Sequence, residues 1–153
     1  MKSLTAKILT VISICAIVFG CKKNDSKGKL GLTFKSVNAT TFNKGNAVNF
    51  VFEFNHPESG NVNDTILIKR RFLTCPFINV DSFKYVVPVF YAVANVVGDY
   101  EVNFNYGSGG SFNGCDKGGA NAKTDSMYYT FILIDKDKNR SDSVVSPKII
   151  LKK

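Results

Sequence analysis

The chain has 153 residues, no tryptophan and a net charge of +8, with 20 lysines and arginines against 12 aspartates and glutamates. This length fits one domain. The longest basic run is Lys69, Arg70 and Arg71, and the other basic residues are scattered. A nucleic-acid reader presents a basic stripe on a known module, so we expect no nucleic-acid partner and interpret the run as a solvated strand face. The charge could also favour anionic envelope glycans or lipid headgroups.

The first 20 residues have the layout of a signal peptide. Lys2 and Lys7 precede an apolar run over residues 8–19. A transmembrane helix needs roughly 20 apolar residues, so this run is too short to span a bilayer. We therefore predict a removable signal over residues 1–20.

Val18, Phe19, Gly20 and Cys21 resemble the lipobox of bacterial lipoproteins, with Phe19 in place of the usual small residue. The resemblance implies lipidation of Cys21. Each buried methylene of its acyl chains contributes about 0.8 kcal/mol, so the protein would stay on the membrane. The alternative is an ordinary signal peptide that leaves a free cysteine.

Residues 21–29 are polar and lack hydrophobic periodicity, which predicts a flexible tether. Lys22 stands where an aspartate commonly retains lipoproteins at the inner membrane, so we expect the outer membrane. "KKND" matches a surface-export signal only in part. The choice between periplasmic face and cell surface therefore stays open.

Two of the four cysteines remain for the folded domain, Cys75 and Cys115. In an oxidising compartment they are expected to form a disulfide. The closed loop of about 40 residues would contribute near 4 kcal/mol in the chain-entropy treatment. Zinc needs three or four ligands, and the sole histidine, His56, is predicted in a turn before Pro57, so we expect no metal site there.

Alternation with a period of two dominates the rest of the chain. In residues 46–55, Phe50, Phe52 and Phe54 alternate with more polar positions and are expected to face the core. A loop with proline and glycine separates this strand from residues 65–73, and we predict that the two strands form a hairpin.

Further strands are predicted over residues 30–37, 83–90, 100–106, 127–135 and 143–151, with no helical pattern between them. Residues 30–153 should therefore form an all-β domain, an antiparallel two-sheet sandwich of about seven strands. Val102, Phe104 and Tyr106 should share one face of their strand. Pro88 should lie at an edge or a bulge.

The ending "YTFILIDKDKNRSDSVVSPKIILKK" resembles the closing hairpin of fibronectin III-like and immunoglobulin-like domains. The whole layout is similar to small Bacteroidota lipoproteins with a lipobox, a tether and one such domain. The resemblance implies an envelope location and no defined activity. The buried tryptophan of immunoglobulin domains is missing, so two-sheet packing is the safer expectation.

Asp135, Asp137 and Asn139 alternate as at the start of a calcium-binding loop. The loop's glycine and glutamate are replaced by Arg140 and Ser146. We therefore interpret the segment as a turn, with a weak calcium site as the alternative.

No catalytic constellation is evident, and we expect no enzyme activity and no cofactor. His56 has no acidic partner close to it in sequence, and no carboxylate pair can be selected. The glycine-rich residues 107–121 lack both phosphate-loop spacings, so they predict a long connection, or a binding loop with Phe112 near its centre.

Thr65, Ser126 and Ser143 each follow an aspartate and precede an aliphatic residue, like acceptors of a Bacteroidota O-glycosylation system. The equally favoured alternative is that Asp and Ser/Thr end turns where strands begin.

The sequence is consistent with two functional hypotheses. The first is a lipid-anchored, non-catalytic interaction or structural module of the cell envelope that binds a protein through loops or an open sheet edge. The alternative is a carbohydrate-binding lipoprotein. Its sugar-stacking candidates are Tyr91, Tyr100, Tyr106 and Phe112.

Overall fold

The computed structural model describes residues 28–74, 80–107, 115 and 124–153. Within these ranges the chain forms eleven strands and no helix. The strands are β1 (Gly31–Val37), β2 (Thr41–Asn43), β3 (Ala47–His56), β4 (Gly60–Val62), β5 (Thr65–Phe72), β6 (Val80–Val86), β7 (Phe90–Ala92), β8 (Val96–Asn105), β9 (Thr124–Ile134), β10 (Val144–Val145) and β11 (Ile149–Lys152). The all-β prediction is confirmed.

Some predictions fall outside the described residues. These are the signal peptide, Cys21, most of the tether, Cys75 and Phe112. In the part of the chain that is described, no helix is both long and apolar enough to cross a bilayer.

The strands form three sheets. One sheet has the order β1-β3-β8, and a six-stranded sheet has the order β2-β11-β9-β5-β6 with β10 beside β9. The third is the short pair β4-β7. The pairing is antiparallel except for β2 and β11, which run parallel.

The two larger sheets meet through aromatic side chains. Phe50, Phe52 and Phe54 of β3 are buried as the alternation predicts. The ring centroids of Phe50 and Phe52 lie 5.1 and 4.5 Å from that of Phe131 on β9, a residue of the opposite sheet. These phenylalanines therefore form the centre of the core.

The predicted hairpin between β3 and β5 is wrong. β3 pairs with β1 and β8, whereas β5 pairs with β6 and β9 in the other sheet. The connecting residues include β4, which pairs with β7 rather than continuing either sheet. This connection is too long for a tight turn and carries the chain from one sheet to the other.

The closing hairpin is confirmed, because β9 pairs antiparallel with both β10 and β11. Pro88 lies just beyond β6, the edge strand of its sheet, and needs to donate no ladder hydrogen bond there. The three-residue strands β2, β4 and β7 were not predicted, since they are too short to show a period.

Candidate functional site

An apolar groove opens on the side of the molecule where β6 and β8 are the edge strands of their sheets. Its cavity has a volume of about 610 Å³. Phe54, Phe90 and Tyr100 supply its aromatic base. The groove is therefore within the size range of small-molecule and peptide side-chain pockets, about 300–1,000 Å³.

The base of the groove is flat because two rings stack across β3 and β8. The ring centroids of Phe54 and Tyr100 are 4.0 Å apart with an interplanar angle of 11°. Phe54 lies opposite Gly98 in the strand register, and a Cβ at Gly98 would come within 2.9 Å of the Phe54 ring. The absence of a side chain at Gly98 thus allows the ring to lie over β8.

The wall of the groove is the segment between β6 and β7. Val87, Pro88 and Val89 line it, and the Val87 amide donates a hydrogen bond to the Asp64 carbonyl over 3.0 Å. Val89 is 64% exposed and the neighbouring Tyr91 is 75% exposed. Val86 and Val97, which precede the lining residues Val87 and Gly98, are also exposed. Exposed apolar residues concentrated around a groove are typical of a site that another molecule covers.

The rim of the groove is acidic. Asp99 and Glu101 stand on the outward side of β8 next to the apolar base. Asp99 accepts a salt bridge from Lys35 at 2.8 Å, and Glu101 accepts a long hydrogen bond from Asn49. The groove therefore combines an apolar interior with polar groups at one side only.

A buried polar cluster lies behind the groove, and it corrects the prediction that His56 is a loop residue. His56 is the buried last residue of β3, and its Nε2 lies 3.6 Å from Oδ1 of the fully buried Asp64. The Tyr100 hydroxyl donates to Asp64 Oδ2 over 3.1 Å. His56 thus has an acidic partner after all, but both side chains lie beneath the surface, where a bulky substrate has no access.

Burial raises the pKa of Asp64 above its ordinary value of 3.8, and the opposing effects of His56 and the Tyr100 hydroxyl do not cancel this shift. Above about pH 4 the unfolded chain releases the Asp64 proton while the folded chain still holds it. This group therefore makes stability fall as the pH rises from about 4 through the raised pKa.

Asp64→Asn removes that dependence and keeps an acceptor for the Tyr100 hydroxyl. We expect the wild-type free energy of unfolding, relative to that of the variant, to fall as the pH rises above about 4. Urea unfolding at a series of pH values measures this difference. Parallel pH profiles for the two proteins would show that Asp64 titrates alike in the folded and unfolded chains.

The structure corrects two of the four predicted sugar-stacking residues. Tyr100 is buried in the groove base, and Tyr106 is buried with its hydroxyl donating to the Lys152 carbonyl. Tyr91 is exposed, as stacking on a sugar would require. Phe112 lies outside the described residues.

Cys115, in the middle of the glycine-rich segment, is tied to the start of β9. The Cys115 amide donates to the buried Asp125 carboxylate over 2.6 Å, and Lys153 Nζ lies 3.3 Å from the same oxygen. Lys153 also donates to the Cys115 carbonyl. The disulfide from Cys115 to Cys75 stays a prediction because Cys75 lies outside the described residues.

The predicted glycosylation sites stand where strands begin. Thr65 and Ser126 are half-buried in β5 and β9, and the aspartates before them are fully buried. Ser143 precedes β10 and is exposed. Glycosylation of these residues stays a prediction, and Ser143 is the most accessible acceptor of the three.

The segment proposed as a weak calcium site is a closed turn. Asp135 Oδ1 accepts hydrogen bonds from the amides of Asp137 and Asn139, and its Oδ2 accepts one from the Asn139 side chain. The Asp135 carboxylate thus stabilises the turn itself. Across the described residues, no group of three or more His, Cys, Asp or Glu side chains is placed to hold a metal ion.

The basic run is only partly a solvated face. Lys69 and Arg71 point outward, but Arg70 is buried, donates to Asp81 from both Nε and Nη2, and lies over the Phe72 ring at 4.5 Å. One cation of the run therefore belongs to the interior, with its charge balanced by a carboxylate.

Comparison with known proteins gives a likeness in fold. No family model and no curated protein sequence matches the chain. The alkylpurine DNA glycosylase AlkC of Pseudomonas fluorescens, solved bound to DNA containing an abasic site analog, aligns with a TM-score of 0.51 and 8% identity over 82% of this chain. This chain spans 31% of the glycosylase.

Two weaker likenesses have lower TM-scores. A Niemann-Pick type C2 protein from the Japanese carpenter ant gives 0.43 at 10% identity, covering 82% of this chain and 94% of that one. The Bacillus subtilis sporulation control protein Spo0M gives 0.41 at 8% identity, covering 82% of this chain and 50% of that one. At these identities the likenesses bear on the fold alone.

Sequence reasoning missed the groove although one signal was present. Residues 86–93 read "VVPVFYAV", an apolar run interrupted by a proline and too long for one face of a half-buried strand. Such a run places apolar side chains on both sides of the backbone. Part of it is then exposed unless other strands of the domain, or another molecule, cover both sides.

Proposed function

We propose that the chain is a lipid-anchored, non-catalytic interaction module of the cell envelope, with a single immunoglobulin-like domain that captures an apolar protein segment. The lipobox-like sequence at Cys21 supports the anchor. The apolar groove beside β6 and β8 supports the interaction role, and it is the observation that carries the proposal.

The immunoglobulin-like assignment is supported by strand order. In immunoglobulin domains the first, second and fifth principal strands share one sheet, and the third, sixth and seventh share the other. Here β1, β3 and β8 lie together, and β5, β9 and β11 lie together. β6, the fourth principal strand, joins the second group, whereas the fourth strand of a constant-type immunoglobulin domain joins the first. The short strands β2, β4, β7 and β10 are additions to that plan.

The groove favours an extended protein segment as its occupant. Edge strands present unpaired backbone groups, so a segment laid along β8 or β6 can add to a sheet while its side chains enter adjacent pockets. The flat base of Phe54 and Tyr100 accepts an apolar side chain, and Val89 lines the wall beside it. Asp99 and Glu101 add polarity at the rim.

Photo-crosslinking in cells tests this proposal. A photoreactive phenylalanine at Tyr91 of the full chain is expected to give a discrete covalent adduct with another protein. Val89→Asp in the same chain should lower the adduct yield about tenfold, because burying a valine side chain contributes about 1.5–3 kcal/mol. Val89 is exposed, so the folded domain tolerates the change.

The matched control is the same probe at Val145, an exposed apolar residue on β10, which pairs with β9 and is separated from the edge strand β6 by β9 and β5. It should not yield the Tyr91 adduct. The proposal fails if Tyr91 yields no adduct, if Val145 yields the same one, or if Val89→Asp leaves the yield unchanged while unfolding curves show both proteins folded.

A further inference from the structure

The outward face of the six-stranded sheet carries a cluster of exposed cations. Alternation along β5 points Lys69 and Arg71 outward, and along β6 it points Lys84 to the same side. All three side chains are exposed. We refer to Lys69, Arg71 and Lys84 as the cationic face.

The strand register places these cations along a diagonal. Lys84 lies opposite Leu67, which puts it diagonally next to Lys69 at about 7–8 Å between Cα atoms. Arg71 follows Lys69 by two residues, about 7 Å further along β5. Tyr128 of β9 lies directly opposite Arg71. The row therefore crosses three neighbouring strands, from Lys84 to Tyr128.

No carboxylate neutralises this row within the described part of the sheet. Its strand residues include only two acids, Asp81 and Asp125, and both point inward to bind Arg70 and the Cys115 amide. The ion pairs formed among described residues involve none of the three cations. The row thus presents uncompensated positive charge to solvent.

The opposite face of the molecule has the reverse charge. On the outward side of the β1-β3-β8 sheet, Glu53, Asp99 and Glu101 are exposed alongside a single lysine, Lys35. The domain is therefore polarised across its thickness, and a negatively charged ligand is directed to one sheet and repelled from the other.

We propose that the cationic face binds an acidic polysaccharide, which lies diagonally across β6, β5 and β9. A linear polymer matches a row of evenly spaced charges on a flat sheet, and the half-buried ring of Tyr128 beside Arg71 gives a sugar ring an apolar surface. This surface and ligand are distinct from the groove and its protein partner.

A lipid bilayer fits this face less well. Leu67, beside Lys69 and Lys84, and Ile132, opposite Leu67 on β9, are half-buried in the sheet rather than protruding. Membrane-surface binding adds buried apolar area to charge attraction. Val86 on β6 and Val145 on β10 are exposed on this side of the sheet, but β5 and β9 separate them, so they form no continuous apolar patch.

The test is binding to polygalacturonate by the full chain carrying Cys21→Ser, with the neutral glucan laminarin as reference polymer. The first variant removes the cationic face by Lys69→Gln, Arg71→Gln and Lys84→Gln. The matched control removes the same charge from exposed turn and loop positions by Lys44→Gln, Lys136→Gln and Lys148→Gln.

We expect the parent protein to bind polygalacturonate and not laminarin. The first variant should bind at least about fivefold more weakly, and the control variant should bind as the parent does. Binding should also decline towards about 1 M salt, where the screening length is about 3 Å.

Three results would overturn the proposal. One is equal weakening by both variants, which would reflect net charge alone. Another is unchanged binding by a folded first variant. The third is binding to vesicles containing phosphatidylglycerol, or to duplex DNA, without binding to polygalacturonate.

Discussion

Phe52→Ala is expected to lower the free energy of unfolding by about 3–5 kcal/mol, the usual cost of deleting a fully buried aromatic side chain. Phe52 is fully buried at the centre of the core. Its ring centroid lies 4.5 Å from that of Phe131 in the opposite sheet and 5.8 Å from that of Phe34 on β1. Alanine leaves a cavity between the sheets, and the backbone hydrogen bonds of β3 limit its collapse.

Urea unfolding of the variant and the wild type measures this loss. Val51→Ala is the matched control, because Val51 precedes Phe52 on the same strand but points outward and is only half-buried. It should cost far less, about 1 kcal/mol or below. Equal losses at the two positions would contradict the packing of β3 against the six-stranded sheet.

Alternation predicted the core of β3 because a strand with one solvated face must bury every second side chain. The same rule located β5, β9 and the closing hairpin. It gave no information on which strands are neighbours, so β3 and β5 were wrongly paired. Neighbours depend on the path of the connection, here on β4 and its pairing with β7.

The groove and the buried cluster could not be predicted from the sequence, for a related reason. His56 and Asp64 are eight residues apart and meet only because the chain between them turns back, and Tyr100 reaches Asp64 from β8. The groove depends on two sheets ending side by side at β6 and β8. No local sequence pattern predicts that the edge strands of two sheets lie side by side.

Only part of the cationic face could be predicted from the sequence. The run of Lys69, Arg70 and Arg71 was evident, but strand alternation sends Arg70 inward to Asp81 and keeps its neighbours outside. Lys84 joins them only through the β5–β6 register. The spatial cluster therefore contains two residues of the run and one from another strand.

Cys21→Ser is expected to release the protein from the membrane. Acyl chains attached to Cys21 would contribute about 0.8 kcal/mol for each buried methylene. With several chains, dissociation of the wild type from the membrane would be negligible, and the variant would lack all of this anchoring free energy. The groove would then no longer be presented at the envelope. Cys15→Ser is the matched control, because Cys15 precedes the predicted cleavage site and is removed with the signal.

Fractionation of cells producing the wild type, Cys21→Ser and Cys15→Ser tests whether the domain is anchored at the envelope through Cys21. We predict that the wild type and Cys15→Ser sediment with membranes, while Cys21→Ser moves to the soluble fraction as a folded protein. A Cys21→Ser protein that stays with the membranes, or a wild type that is soluble, would contradict anchoring through Cys21.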